Sequence, residues 1–284
     1  MVGAMKIGID SYSFHRFYHE TTQWETPSAV EWDTVDFFRF CESVKVDVAS
    51  LQTIHLDTTR AGIDREIASW RLATGCDVIL TWGHPNGFDG GRNLERLANA
   101  EIFLEFAGKL GIREMRIVCG NHNNFFENTS QRNALLRPLI KHLVNRASEL
   151  QVRISIENHA DFCLADLVEY VSSFDTPHLG LCLDMGNALR VGDDPIRILN
   201  QLDLDKVFMI QMKEIIMVEG HEAPTGWWPT VKFGSGDVHV EECMKILKKR
   251  NYTQPVVVEL SNLFGNLQEL EVARDAVQYL RLHA

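Results

Sequence analysis

The chain has 284 residues, 45% of them hydrophobic, with 28 Lys and Arg against 39 Asp and Glu and a formal charge of −11. That balance repels nucleic-acid backbones and anionic membrane surfaces. No run approaches the roughly 20 apolar residues that a membrane-spanning helix needs.

The opening, MVGAMKIGID, runs straight into a strand pattern without a signal peptide, which predicts a cytoplasmic protein, with Met5 as a second candidate start. The first strand, KIGIDSYSF (6–14), leads into a polar loop (15–32) and a helix over 33–44. A strand at 46–54 and a helix over 62–74 follow. The third strand, DVILTW, ends at the Gly-rich GHPNGFDGG, and the next helix, 92–110, stops at Gly111, a common helix terminator. The fourth strand, EMRIVCG, runs into NHNNF and then a helix over 130–150 with Leu135, Leu139, Leu143 and Ala147 at helical spacing. RISIEN, a helix over 164–174, HLGLCLD, a helix over 195–202 and KVFMIQMK continue the alternation. A loop over 214–233 holding Trp227 and Trp228 has the length of a functional lid. A helix over 239–249, with Asp237 as its expected cap, the strand QPVVVEL and a last helix over 267–282 complete eight units.

Short apolar, β-branched runs between helices read as parallel strands. Eight such units with no linker predict an α/β chain folded as a single (β/α)8 barrel over residues 1–284, the length that one barrel requires. No GxGxxG follows the first strand and no GxxxxGK[ST] is present, so a nucleotide cofactor has little support. The six cysteines (41, 76, 119, 163, 182 and 243) form no CxxC pair and read as buried free thiols.

In a closed barrel the carboxyl ends of the strands converge on the face that carries active sites. Here those ends are polar throughout: Asp10 and Tyr12, Gln52 and His55, His84, His122, Glu157 and His159, Asp184 and Asn187, Gln211 and Lys213, and Glu259. Glu157, Asp184 and Glu259 with the amide oxygen of Gln211 would form an oxygen-rich cage for a divalent metal. His55, His84, His122, His159, Asn187 and Lys213 are candidate substrate contacts. Trp82, Trp227 and Trp228 either stack on a sugar face or pack the loops.

The segments IENH (156–159), CLDMGN (182–187), QMKE (211–214), FGSGDV (233–238) and VVVEL (256–260) resemble the xylose-isomerase-like barrels, a superfamily of sugar isomerases, sugar epimerases and endonuclease IV. The resemblance implies one divalent metal held by Glu157, Asp184, Gln211 and Glu259, with Gln211 standing where relatives use histidine; the alternative is three protein ligands, with Gln211 hydrogen-bonding to substrate. Three carboxylates and an amide favour Mn²⁺, with Mg²⁺ or Co²⁺ next and Zn²⁺ less suited. It further implies Glu157 and Glu259 as a proton-transfer pair acting beside a metal-polarised carbonyl. The expected function is metal-dependent isomerisation or epimerisation of a ketose or keto-sugar derivative. A lyase or dehydratase beginning with the same deprotonation, including C-glycoside cleavage, is the alternative, and a non-catalytic sugar-binding barrel a third. The expected partner is a small sugar, with no nucleic acid and no membrane, and a homo-oligomer stays open. The endonuclease reading is disfavoured by Asn187 and Gln211 at positions where that enzyme uses imidazoles.

Overall fold

The computed structural model describes residues 4–220 and 225–284. Its strands β1 (Lys6–Asp10), β2 (Val48–Gln52), β3 (Asp77–Trp82), β4 (Glu114–Ile117), β5 (Arg153–Glu157), β6 (Leu179–Asp184), β7 (Val207–Met212) and β8 (Pro255–Val258) pair in sequence order. All pairs are parallel, and β8 closes on β1 with Val257 opposite Gly8. Gly8 is demanded by the close pairing of β1 with β2, since a Cβ there would lie 2.7 Å from the Val48 carbonyl oxygen. The helices are α1 (Thr34–Val44), α2 (Ile63–Thr74), α3 (Arg96–Lys109), α4 (Thr129–Glu149), α5 (Leu164–Ser172), α6 (Met185–Arg190), α7 (Pro195–Gln201), α8 (Val240–Lys249) and α9 (Glu269–His283). The chain is therefore a closed (β/α)8 barrel. The first three residues of the N-terminal segment lie outside the described residues, as do residues 221–224 of the expected lid loop.

Four local differences from the sequence expectation have identifiable causes. The first strand stops at Asp10, whose carboxylate accepts the Tyr12 backbone N–H at 2.8 Å and starts a 3₁₀ turn over Ser11–Tyr18. An unexpected short helix, α6, follows β6, because Asp184 accepts the Asn187 N–H at 2.9 Å and so caps it. The third helix begins at Arg96, after a loop in which Gly87, Gly90 and Gly91 all have positive φ. Its buried face is Ala100, Phe103, Leu104 and Ala107, leaving Leu94 and Ile102 exposed. Asp237 does not cap α8: it accepts the Met217 N–H at 2.7 Å, while the cap position is His239 with no side-chain bond.

The apolar core has two parts. Val48, Ile79, Cys182, Met209 and Val257 form a small cluster inside the barrel. A much larger cluster fills the layer between strands and helices. Strand side chains alternate between these two layers, so two residues beyond Cys182, Met209 and Val257 the same interior column carries Asp184, Gln211 and Glu259. All six cysteines are free thiols, five of them buried.

The interior cluster makes a stability prediction. Met209→Ala should lower stability by about 2–5 kcal/mol, because it opens a cavity that the closed sheet cannot collapse. Leu282→Ala, at a position 73% exposed, should change it by less than about 0.5 kcal/mol. Denaturant midpoints of the two variants check this, and equal midpoints would contradict the layer assignment.

Candidate active site

Above the apolar cluster, the barrel interior carries a layer of buried polar side chains knit across neighbouring strands. Ser50 Oγ and Gln52 Nε2 of β2 donate to the two Asp10 oxygens of β1. Arg116 Nε of β4 meets Glu157 Oε2 of β5 at 3.0 Å, as an ion pair rather than an aligned hydrogen bond. Glu157 Oε1 accepts from Asn187 Nδ2 at 3.1 Å. The amide of Gln211 donates to Glu259 Oε2, and its oxygen accepts the Cys182 thiol at 3.4 Å. The most consequential member is Lys213, whose Nζ lies 2.7 Å from Asp184 Oδ2 and 2.7 Å from Glu259 Oε1.

Burial sets the protonation of these groups. It pushes the Glu157 carboxyl up, against the opposing pull of Arg116, and Glu259 and Asp184 push it further. It raises Asp184 as well, with Lys213 pulling the other way. Burial alone would lower Lys213, but Asp184, Glu259 and Glu157 outweigh it and hold the amine above its ordinary value. Lys213 is thus a fixed positive charge and not a neutral nucleophile.

This layer floors a cavity of ≈510 Å³ at the barrel mouth, within the range of small-molecule sites. Glu259, Lys213, Asn187, His84, His122 and His159 line it, together with Arg116, Arg190 and Tyr12. Glu157, Asp184 and Gln211 lie beneath the lining, and His55 lies behind it. The His55 ring stacks on Tyr18 at 3.8 Å, and its Nδ1 shares a hydrogen with Ser11 Oγ at 2.9 Å. His159 Nδ1–H donates to the Gly120 carbonyl at 3.0 Å. Burial, with His84 nearby, holds the ring well below its ordinary value and hence neutral, so Nε2 keeps its lone pair. His84 Nε2–H donates to Glu20 at 2.7 Å, and its ring packs on Tyr12 at 4.5 Å.

Arg116, Glu20 and Arg190 were absent from the sequence expectation. A lone arginine inside the apolar strand EMRI was the signal for Arg116; Glu20, in a polar loop, gives none. The three tryptophans separate. Trp82 is fully buried, donates to Asn99 Oδ1 at 2.9 Å and packs on Phe88. Trp228 lines the cavity, whereas Trp227 sits beside Trp24 and Phe264 at ring distances of 6.0 and 5.9 Å.

Two carboxylates shape the rim. Glu214 accepts the N–H groups of Gly234, Val238 and Val240 at 3.0, 3.1 and 3.4 Å. That explains the pairing of QMKE with FGSGDV: one supplies the acceptor and the other the donors that fold around it. Glu25 holds His15 Nε2 at 2.8 Å and the Thr22 N–H at 3.0 Å, tying down the first loop.

The four expected metal ligands lie at the same end of the barrel, but they are turned onto protein partners and not onto one shared point. Two of the carboxylates already share the Lys213 ammonium, and the third faces the Arg116 guanidinium. The amide presents its N–H₂, a donor, to Glu259. No group of three or more His, Cys, Asp or Glu among the described residues is arranged to hold a metal.

The profile of the family described as "Xylose isomerase-like TIM barrel" matches residues 39–283. The chain belongs to that family. No curated protein matches it in sequence. Among solved structures, an L-ribulose 3-epimerase is similar with a TM-score of 0.75 at 14% identity, over 98% of this chain and 94% of the other. The 3-keto-D-glucoside 4-epimerase of E. coli gives 0.71 at 17% identity, over 98% and 99%. The IOLI protein, solved with a zinc atom, gives 0.73 at 14% identity, over 98% and 96%. Likeness at these identities establishes the shared fold. Among the described residues no helix is long and apolar enough to cross a membrane.

Two predictions follow from the rim contacts. Glu214→Ala leaves buried N–H groups without an acceptor, so it should lower stability by about 1–3 kcal/mol and increase amide exchange across 234–240, which hydrogen-exchange mass spectrometry would read. For the His15–Glu25 pair, burial lowers the His15 pKa but Glu25 more than restores it, leaving a net rise above 6.5. Its contribution is therefore complete below pH 6.5 and is lost as pH rises through the raised value. The stability advantage of the parent over Glu25→Gln should shrink as pH rises above 6.5, and an advantage that grew instead would contradict the assignment.

Proposed function

We propose that this chain is an enolising sugar isomerase or epimerase, which takes a proton from the carbon beside the carbonyl of a ketose or keto-sugar derivative. The observation that carries this reading is the Glu259 carboxylate and the Lys213 ammonium, 2.7 Å apart and both on the cavity lining. A carboxylate beside a fixed cation is the minimal apparatus for enolisation: the base removes the proton, and the charge stabilises the oxygen that becomes anionic. The neutral His159, with its Nε2 lone pair, suits acceptance of a hydroxyl proton. His84, His122, Asn187 and Arg190 give the cavity the polar walls that a polyol requires.

Glu157 takes a different role in this reading from the one expected. It lies under Arg116 and Asn187, forming an ion pair with the first and accepting a hydrogen bond from the second, so we assign it to positioning those two cavity-lining side chains. Mn²⁺, the expected cofactor, is left out of the reading because Lys213 stands between two of its carboxylates. The names of the similar structures, epimerases of L-ribulose and of a 3-keto-D-glucoside, support a keto-sugar substrate. Six unpaired thiols support a reducing, cytoplasmic setting.

Incubation with a panel of ketoses and keto-sugars in deuterated water should place deuterium on the carbon beside the carbonyl of the true substrate. Glu259→Gln should slow that exchange by about 10²–10⁴-fold. Exchange undiminished in Glu259→Gln would remove that residue as the base, and release of water or an aglycone would replace isomerisation by a lyase reaction.

A further inference from the structure

The position that a divalent cation would need at this barrel mouth is taken by a side chain. We propose that Lys213 is the permanent cationic centre of the site, and that the enzyme performs its chemistry without a divalent metal. This rests on the enolising reading above and names the charge that performs it.

Several independent contacts fix the lysine there. Its Nζ bridges Asp184 and Glu259 at 2.7 Å each, the two carboxylates that β6 and β8 bring to the same face. Its stem lies against Gly186, where a Cβ would come within 3.0 Å of Lys213 Cβ and 3.3 Å of Cδ. The glycine of CLDMGN therefore leaves the groove in which the lysine runs. Gln211, directly opposite Asp184 in the β6–β7 register, turns its N–H₂ onto the remaining oxygen of Glu259, so Glu259 is satisfied by an ammonium and an amide donor. Glu157, the third carboxylate, is matched by Arg116 at 3.0 Å. Lys213 and Arg116 thus stand against Glu157, Asp184 and Glu259 where a dication would otherwise be needed.

The chemistry balances without a cofactor. The C–H bond beside the carbonyl breaks and its proton passes to Glu259. The electron pair becomes the carbon–carbon double bond of an enediolate, and the carbonyl π pair becomes an alkoxide charge against Lys213 Nζ. Return of the proton from Glu259 to the neighbouring carbon, while His159 Nε2 takes the enediolate hydroxyl proton and passes it to the oxygen facing Lys213, completes isomerisation. For epimerisation, water protonates the original carbon from the opposite face and Glu259 gives its proton to solvent. No oxidant or reductant takes part.

The test uses Mn²⁺ itself and needs no substrate. The chelator-treated, full-length protein is mixed with Mn²⁺, and the free ion is followed by electron paramagnetic resonance. The parent should leave the aqueous signal undiminished, and the double variant Gln211→His/Lys213→Ala should deplete it stoichiometrically, with affinity raised by about 100-fold or more. Stoichiometric uptake by the parent would overturn the proposal, and so would a folded double variant that takes up none. Should the double variant not fold, Gln211→His alone, which keeps the lysine, is expected to bind no Mn²⁺, and uptake by it would overturn the assignment equally. Deuterium exchange run in parallel separates the two claims. A parent that binds Mn²⁺ and exchanges loses only the lysine assignment; one that binds none and exchanges with no sugar loses only the enolising reading.

Discussion

A single buried ammonium holds the mouth of this barrel together. Glu157, Asp184 and Glu259 are brought within one layer by β5, β6 and β8, and all three are buried. Carboxylates so placed repel one another and lose hydration, at a penalty of several kcal/mol per ion unless each is paired. Lys213 answers two of them at once and Arg116 the third. The rest of the layer is arranged around these pairs. Asn187 bonds to Glu157, the α6 backbone is capped by Asp184, and Gln211 donates to the second oxygen of Glu259.

The same pairs connect the fold to the site. Period-two alternation sends Cys182, Met209 and Val257 into the dry centre of the barrel and Asp184, Gln211 and Glu259 into the polar layer above it. A one-residue slip in any of these strands would turn both sets outward toward the helices, so the apolar cluster fixes the register of the charged layer. The rim loops then build the walls. Glu214 gathers the 234–240 segment, and Glu25 and His15 anchor the first loop, whose Gln23 and Trp24 reach the cavity.

Much of this was legible in the sequence because strand ends are marked by a change in chemistry. VFMI passing into QMKE and VVVE passing into LSN show where an apolar strand meets a polar face, and eight such transitions define a closed barrel. What was not legible was pairing. Nothing in the spacing of Glu157, Asp184 and Glu259 distinguishes a cage for a metal from a set of partners for Lys213 and Arg116, because both arrangements put the same side chains at the same strand ends. Lys213 was readable as a neighbour of the carboxylates, but its distance to two of them is a property of the closed barrel and of the space left by Gly186. Arg116 passed as an ordinary strand residue, since its partner lies 41 positions away on β5. Asp237 looked like a helix cap by local pattern, and a tertiary donor, the Met217 N–H, claimed it instead.

At the ends of β6 to β8 the chain carries Asp184, Gln211 and Glu259, and Lys213, two residues past Gln211, supplies the charge that faces two of them. The most direct measurement of this account is a crystal structure of the protein soaked with Mn²⁺ and a hydroxamate mimic of an enediolate, recorded with anomalous data at the manganese edge. The account predicts the mimic's oxygens within hydrogen-bonding distance of Lys213 Nζ and Glu259, with no manganese peak between Asp184 and Glu259. A manganese peak there, with Lys213 displaced, would contradict it.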